Sequence, residues 1–261
     1  ERKRTGETPY KSRMIAFRDG IQTLTRRLTD TSQARVVTAA QINAIEHSDG
    51  HWTVRWQSAG SDHEARSDAL VVSVGETDLR GLPWPPDLAD RLDAVPRLEY
   101  PPVTTLVLGF RCEQVTHALD GFGMLIPLKE RRRILGAIFS STIFPDRAPD
   151  GHVSLMIFMG GATMPDAANA SLEDSVSLAR GELADLLGIS GEPVFAKSVH
   201  WPLAIPQYNV GHGDFLAALE SIERDRSGLA FCANYRGGPG LSDCLDSALR
   251  TASGILDQKG A

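Results

Sequence analysis

A glycine-dense turn close to the carboxyl end of the chain is the residue pattern most suited to chemistry. The sequence NYRGGPG, residues 234–240, lies between the apolar run GLAFCA, residues 228–233, and a segment whose apolar residues recur at helical spacing. The first backbone N–H groups of a helix lack partners within the helix, and the helix dipole is positive at that end. The pattern therefore predicts a site that faces an anionic or electron-rich ligand. A plain strand-to-helix turn would contain similar glycines, so that alternative stays open.

The residue sets that usually carry side-chain catalysis are missing from the sequence. It contains neither G-x-x-x-x-G-K-[ST] nor G-x-G-x-x-G, since GFGMLI has Ile126 where the last glycine of the second motif belongs. The seven histidines are scattered without the spacing of metal ligands, and no Ser/His/Asp arrangement stands out. We therefore expect neither a catalytic side chain nor a metal site.

Charge and cysteine content restrict the classes of partner. The 261-residue chain has a formal net charge of −6, which provides no general positive field, so we expect no nucleic-acid partner. Cys112, Cys232 and Cys244 are odd in number and far apart, which favours reduced packing residues in a cytoplasmic protein over a disulfide framework. No run approaches the roughly 20 apolar residues of a membrane-spanning helix. Peripheral contact with the inner face of a membrane stays open.

The elements that must position the turn begin with a helix and a hairpin. FRDGIQTLTRRL, residues 17–28, has apolar residues at helical spacing and predicts a short amphipathic helix. Residues 34–58 alternate in polarity and contain Asp49-Gly50 between β-rich runs, which predicts an antiparallel hairpin. DALVVSV, residues 68–74, is typical of a strand buried on both faces. A proline-rich loop then leads into a helix.

The second half of the chain predicts a sheet followed by alternating helices and strands. Four β-rich segments separated by turns, from about residue 100 to 162, indicate a largely antiparallel sheet. A helix follows, with Ser171 as its N-cap and Gly188 as its C-terminal stop. EPVFAKSVHW, residues 192–201, predicts a further strand. A proline turn and another helix follow it, and the strand, glycine turn and helix described above end the chain. The fold class is thus a mixture of α+β and α/β.

Four motifs, taken as a set, are more specific than the glycine turn alone. They are GFGxLxP at 121–127, FPDR at 144–147, IPQYxxGH at 205–212 and NYRGG followed by DC at 234–244. Together with FRDGIQTL and INAIEHSDGHWTV, in the same order, they make the sequence resemble the protoporphyrinogen oxidases, a family of flavoenzymes within the monoamine oxidase-like superfamily. The resemblance covers nearly the whole chain, from about Phe17 onward.

The resemblance implies a two-part architecture. Part of a Rossmann-like FAD-binding domain would comprise residues 10–95 and 205–261, and an antiparallel-sheet substrate domain would comprise residues 96–204. The family carries a G-x-G-x-x-G fingerprint near its amino terminus, and this sequence lacks it. We therefore interpret the sequence as the carboxyl-terminal half or so of such an enzyme.

The resemblance also assigns site residues, position by position. The implied FAD-binding residues are Ile42 near the adenine, Trp201 beside the flavin, and Pro239, Gly240 and Leu241 approaching the flavin ring. The implied substrate residues, an apolar clamp on the tetrapyrrole, are Phe122, Gly123, Leu125 and Phe158. Trp201 could equally be a core tryptophan, and the four clamp residues could be sheet core. Ala233 and Ala248 stand where the family usually has glycine, and their added methyl groups bear on tight FAD binding. Leu249 stands where the family often has a basic residue.

The implied activity is oxidation of protoporphyrinogen IX to protoporphyrin IX by FAD, with dioxygen or another acceptor reoxidising the flavin. Three alternatives stay open: coproporphyrinogen III as the substrate, another flavin-dependent amine oxidase or desaturase, and an inactive fragment that serves only as a scaffold. A homodimer is also left open.

Overall fold

The computed structural model describes residues 15–260, and the side chains of residues 15–257. Residues 10–14 of the first predicted domain segment and residue 261 of the last lie outside the described residues. The fold is mixed α/β with antiparallel sheets, as the sequence predicts.

The first part of the chain forms a helix and a three-stranded meander. Helix α1, Gln22–Thr31, is followed by β1, Gln41–Ser48, β2, His51–Ser58, and β3, Ser61–Ser67. Neighbouring strands are antiparallel. Asp49 and Gly50 both have positive φ, 51° and 75°, as a two-residue hairpin turn matched to the twist of its strands requires. The predicted hairpin is therefore confirmed.

A short parallel strand pair joins distant parts of the sequence. Strand β4, Leu70–Val72, precedes helices α2, Glu76–Leu79, and α3, Pro86–Asp93. It pairs in parallel with β10, Leu229–Phe231. The predicted strand over residues 68–74 is thus shorter than expected, and its burial on both faces is wrong, because Val71 is 47% exposed. Within the described residues only β10 pairs with β4, and nothing covers Val71.

The middle of the chain folds into a five-stranded antiparallel sheet. Its strands in chain order are β5, Val103–Arg111, β6, Gly123–Leu125, β7, Gly136–Ile138, β8, His152–Gly160, and β9, Phe195–Trp201; the short helix α4, Ser140–Ile143, follows β7. The order across the sheet is β6-β7-β8-β5-β9, and every neighbouring pair is antiparallel. The sheet predicted for residues 100–162 is confirmed, and β9 extends it.

Helix α5, Leu172–Leu187, packs on one face of this sheet. The Ser171 hydroxyl accepts a hydrogen bond from the Asp174 backbone N–H at 3.1 Å, and Gly188 ends the helix in the left-handed conformation. Both predicted helix ends are therefore confirmed. The buried side chains of α5 join Leu106, Leu108 and their neighbours in one hydrophobic cluster.

The last two helices belong with the parallel strand pair. Helix α6, His212–Asp225, buries Phe215, Leu219 and Ile222 in a second hydrophobic cluster with Trp52 and Phe231. Helix α7, Leu241–Gly260, follows the glycine turn as predicted. The leucines of α7 are exposed, in contrast to those of α6. They are Leu241, Leu245, Leu249 and Leu256. The apolar face of α7 is thus uncovered within the described residues.

The cysteines have different environments. Cys232 is buried, Cys244 is half-buried and Cys112 is exposed. The expectation that all three are packing residues is therefore wrong for Cys112, which follows the end of β5 in a single turn of 3₁₀ helix at the surface.

Candidate functional site

A cleft of about 380 Å³ lies at the carboxyl ends of the two parallel strands. Residues 73–75, which follow β4, form one wall, and residues 232–234, which follow β10, form another. Cys244, Ser247 and Ala248 of α7 complete the lining on the helix side. Ligands of α/β folds bind at this edge of a parallel sheet, since the loops that follow neighbouring strands meet there.

Sequence reasoning missed the wall that follows β4. Ser73, Gly75, Thr77 and Asp78 line the cleft, although none belongs to a recognised motif. Their position at the end of the apolar run and directly after it was the available signal. The sequence does not show which strand pairs with residues 70–72. Only a parallel partner brings the loop after this strand next to the loop after its neighbour.

A buried ion pair holds this wall in place. The Glu76 carboxylate lies 2.8 Å from the Arg80 guanidinium one turn along the chain, and their side chains are 2% and 8% exposed. Arg80 also donates hydrogen bonds to the carbonyl oxygens of Leu92 and Val95. Because these contacts satisfy both charges away from water, they serve to fix the segment rather than to meet a ligand.

The glycine turn before α7 is filled by an acidic side chain. A Cβ atom at Gly238 would lie 2.4 Å from the Asp243 Oδ2 atom, and one at Gly240 would lie 2.7 Å from it. The Gly240 N–H donates to that oxygen at 3.2 Å, and the Cys244 N–H starts the helical hydrogen bonds at the Gly240 carbonyl. The glycines are therefore needed for close packing on Asp243. The N–H groups of residues 241–243 remain without partners inside the helix.

Two side-chain contacts fasten the turn to α6 and to the loop that precedes it. The Arg236 guanidinium binds both Glu223 carboxylate oxygens, at 2.8 and 3.0 Å, and also donates to the Phe231 carbonyl at 3.1 Å. The Tyr208 hydroxyl donates to the Asn234 carbonyl at 2.6 Å. These contacts position residues 232–234, which line the cleft.

The tyrosines around the cleft stay protonated. Tyr235 is fully buried and packs edge to face on Phe215, with ring centroids 5.3 Å apart. Burial raises the pKa of Tyr235 well above its ordinary value, and burial likewise raises the pKa of Tyr100 in the cleft wall. Neither hydroxyl is therefore suited to act as a base near neutral pH.

The five-stranded sheet has one face that α5 does not cover. In its central row the pairing places one residue from each of the five strands side by side: Leu125, Gly136, Phe158, Thr105 and Val199. The row on one side contains Val103, Gly160 and Trp201. The row on the other side contains Gly123, Ile138, Met156, Val107 and Lys197. We call these three rows the open face.

The open face brings together most of the residues that the resemblance assigned near substrate and flavin. Gly123, Leu125, Phe158 and Trp201 share it, although they come from three separate strands. Leu125 is 89% exposed, so it is not sheet core. Trp201 is 52% exposed within the described residues, and its Nε1 donates to the Thr105 hydroxyl at 3.4 Å; its place beside the flavin stays a prediction.

Two further features concern the clamp. Phe122 directly precedes β6, which is an edge strand of the sheet, and is 55% exposed. A Cβ atom at Gly123 would lie 2.3 Å from the Ala137 carbonyl oxygen, so only glycine allows β6 and β7 to pair at this point. Phe158 is half-buried beside Gly136.

The remaining assigned residues lie outside the five-stranded sheet, in β1 and at the start of α7. Pro239, Gly240 and Leu241 lie exposed at the start of α7, next to the cleft. Ile42 lies in β1 opposite Trp56, beside a β-bulge, and does not line the cleft. The roles of these residues in FAD binding stay predictions.

Two of the sequence departures fall in the cleft. Ala233 and Ala248 both line it, so a methyl group is present on two of its walls. Leu249 points elsewhere and is 68% exposed. The question that these alanines raise about tight cofactor binding thus concerns this cleft.

The fold, with its parallel strands, strand-end cleft and attached antiparallel sheet, is that of the amine oxidase-type flavoproteins. A solved structure of cyclohexylamine oxidase from Brevibacterium oxydans IH-35A superposes with a TM-score of 0.67 at 14% identity, covering 93% of this chain and 53% of that one. The chain belongs to the family described as flavin containing amine oxidoreductase, whose model matches residues 4–256.

Curated relatives are named as oxidases of porphyrinogens. The mitochondrial protoporphyrinogen oxidase of Nicotiana tabacum is 30% identical over 211 residues, which are 76% of this chain and 41% of that protein. The coproporphyrinogen III oxidase of Propionibacterium freudenreichii subsp. freudenreichii is 27% identical over 192 residues, 73% of this chain and 36% of that protein. The chain thus spans less than half the length of these two relatives.

The described part of the chain was also compared with the requirements of a membrane span and of a metal site, and it meets neither. Among residues 15–260, no helix combines the length and apolar character that crossing a bilayer demands. In the same range, no three His, Cys, Asp or Glu side chains are grouped so that they could hold a metal ion.

Proposed function

We propose that this chain forms the carboxyl-terminal part of an FAD-dependent porphyrinogen oxidase. The observation that carries the proposal is the junction of the open face with the cleft. Trp201 ends β9 on the open face, and Leu203 and Ala204, the next residues but one, line the cleft. A ligand in the cleft and a ligand on the open face would therefore be neighbours, as oxidation of a substrate by a cofactor requires.

The cleft fits one portion of an FAD molecule. Its volume of about 380 Å³ lies at the lower end of the range for small-molecule sites, so it would hold a part of so long a cofactor. The unpartnered N–H groups of residues 241–243 would stabilise negative charge beside it. Asp243 limits how far an anion can approach, because its carboxylate already occupies the Gly240 N–H.

The open face fits a broad apolar substrate. When bound, FAD supplies two-electron oxidation, in three rounds for conversion of a porphyrinogen to a porphyrin. Leu125 and Phe158 would hold the tetrapyrrole by apolar contact and orient it toward the flavin, and Trp201, close to the cleft, would lie on the flavin side. No side chain of this chain is needed as a nucleophile. The names of the relatives favour protoporphyrinogen IX as the substrate, with coproporphyrinogen III as the second candidate.

A second candidate, an inactive scaffold, applies to the 261-residue chain taken alone. A two-stranded parallel sheet is not stable without further strands or covering helices, and Val71 and the leucines of α7 are exposed. We propose that the preceding half of a longer protein supplies the missing cover and the rest of the FAD site. The acceptor, a homodimer, peripheral membrane contact and a cytoplasmic location stay predictions.

The test compares the full-length flavoprotein with the isolated chain. Each is purified, its flavin absorption spectrum is recorded, and porphyrin fluorescence is followed after protoporphyrinogen IX or coproporphyrinogen III is supplied, with enzyme-free autoxidation as the control. We expect FAD and turnover in the full-length protein and neither in the isolated chain. A full-length protein that binds no flavin, or that binds flavin and oxidises only simple amines, would contradict the proposed function.

A further inference from the structure

The open face contains a single ionisable side chain. Among the described residues of its three rows, Lys197 is the only one whose side chain can carry a charge. It lies on β9, in the same row as Val107, Met156 and Ile138. Its neighbours across the strand pairs are therefore apolar, and the ammonium group stands at the margin of an otherwise apolar surface.

No ion pair within the described residues explains a charge at Lys197. The ammonium group of Lys197 pairs with no carboxylate among residues 15–257, unlike the Arg80 guanidinium, which pairs with Glu76. Lys197 is exposed, so its ammonium group is available to a ligand. A cation with free donors beside an apolar surface suits a ligand that is apolar in its body and anionic at its edge.

The distance across the sheet matches such a ligand. Neighbouring strands are about 4.8 Å apart, so Lys197 on β9 lies about 10 Å, two strand spacings, from Met156 on β8. Phe158 stands next to Met156 on the same face of β8. A tetrapyrrole ring packed on Phe158 would therefore extend its peripheral propionate groups toward the edge strand.

We propose that Lys197 binds a peripheral carboxylate of the tetrapyrrole and so positions it on the open face. This inference rests on the proposed function and names a contact that the four motifs do not include. Each propionate carboxylate can accept hydrogen bonds from the lysine ammonium group, and the apolar surroundings strengthen that pairing relative to bulk water. Coproporphyrinogen III has four propionates and protoporphyrinogen IX has two, so either substrate offers a carboxylate for this contact.

Edge strands often carry lysine for a different reason, which is to discourage pairing with another chain. Strand β9 is an edge of the sheet, so this explanation makes its own prediction. It predicts that loss of the charge increases aggregation and leaves porphyrin binding unchanged. Binding to a carboxylate predicts the reverse.

The experiment uses the full-length flavoprotein and two fluorescent probes, protoporphyrin IX and its dimethyl ester, which lacks the free carboxylates. Lys197→Met, Lys197→Arg and the wild type are compared by porphyrin fluorescence and by light scattering. Arg224→Met is the control, because Arg224 is an exposed cation on α6, away from the open face. We expect Lys197→Met to weaken binding of the free acid about fivefold to twentyfold and that of the ester less than twofold. Lys197→Arg should retain free-acid binding within about threefold.

The outcomes separate the inference from the proposed function. A wild type that binds neither probe and oxidises no porphyrinogen refutes both. A wild type that oxidises porphyrinogen, with a Lys197→Met variant that binds the free acid as tightly as before, overturns the inference alone. Equal weakening of acid and ester also overturns it, since that result means lost packing rather than a lost carboxylate contact.

Discussion

Replacement of Arg236 by methionine tests how the turn between β10 and α7 is held. The Arg236 guanidinium makes two parallel contacts with the Glu223 carboxylate and a third with the Phe231 carbonyl. The Arg236 and Glu223 side chains are 23% and 18% exposed. In the variant, Glu223 keeps the Phe231 N–H as a donor at 2.7 Å but loses its counter-charge.

The expected loss of stability follows from this burial. Removal of one partner from a fully buried ion pair costs about 3–5 kcal/mol, because the other charge is left uncompensated. About one fifth of each side chain is accessible to water, so we expect about 2–3 kcal/mol for Arg236→Met. At about 2–4 °C per kcal/mol, the local melting temperature should fall by about 4–12 °C.

The assay is a thermal ramp of the full-length flavoprotein, followed by flavin fluorescence and by circular dichroism. Because Arg236 positions residues 232–234 in the cleft wall, flavin release should shift at least as much as the loss of helix signal. Arg91→Met is the matched control, since Arg91 contacts Asp225 at 2.8 Å with side chains 34% and 58% exposed. The control should lose less than about 1 kcal/mol. If both variants release flavin at the same temperature, the turn is not held by the Arg236 contacts.

Three further predictions concern other parts of the fold. Gly123→Ala should destabilise the protein by at least about 2 kcal/mol in urea unfolding, because the added Cβ would overlap a carbonyl oxygen of β7. The control Gly181→Ala, in open space on α5, should instead stabilise the protein by about 0.5–1 kcal/mol. Ser171→Ala should cost about 1 kcal/mol in the same measurement through loss of the α5 cap; an unchanged urea midpoint would contradict that role. Burial, and then the nearby Arg226 charge, lower the pKa of His47 below 6.5, so the unfolded chain takes up a proton more readily and stability falls as the pH drops through 6.5. His47→Gln should reduce the difference between urea midpoints at about pH 7.5 and about pH 5.5, and an equal difference in both proteins would refute that contribution.

Short-range features of the fold could be predicted from the sequence because their causes lie within a few residues. The Asp49-Gly50 turn, the Ser171 cap and the Gly188 stop depend on local backbone geometry and on side chains at most three residues away. The strand, glycine turn and helix at residues 228–260 were predictable for the same reason. Each of these predictions is confirmed.

Predictions that depend on distant contacts were less accurate. The burial of the run at residues 68–74 was wrong because a hydrophobic pattern shows what a strand can bury, and not what is present to cover it. Cys112 was expected to be buried from the usual behaviour of cysteine, but it falls at a surface turn after β5. The packing of Asp243 on the glycine turn was not predicted, because it depends on how the first turn of α7 lies against residues 238–240.

The sequence by itself determined the local elements and, through the order of its motifs, the family resemblance that the family match confirms. Only the tertiary structure decided that β4 and β10 meet in parallel and so form a cleft from residues 73–75 and 232–234. It also decided the register that places Leu125, Phe158, Trp201 and Lys197 on one open face. The physical reason is that strand pairing joins residues far apart in the chain, and a shift of one residue would turn each side chain to the opposite face.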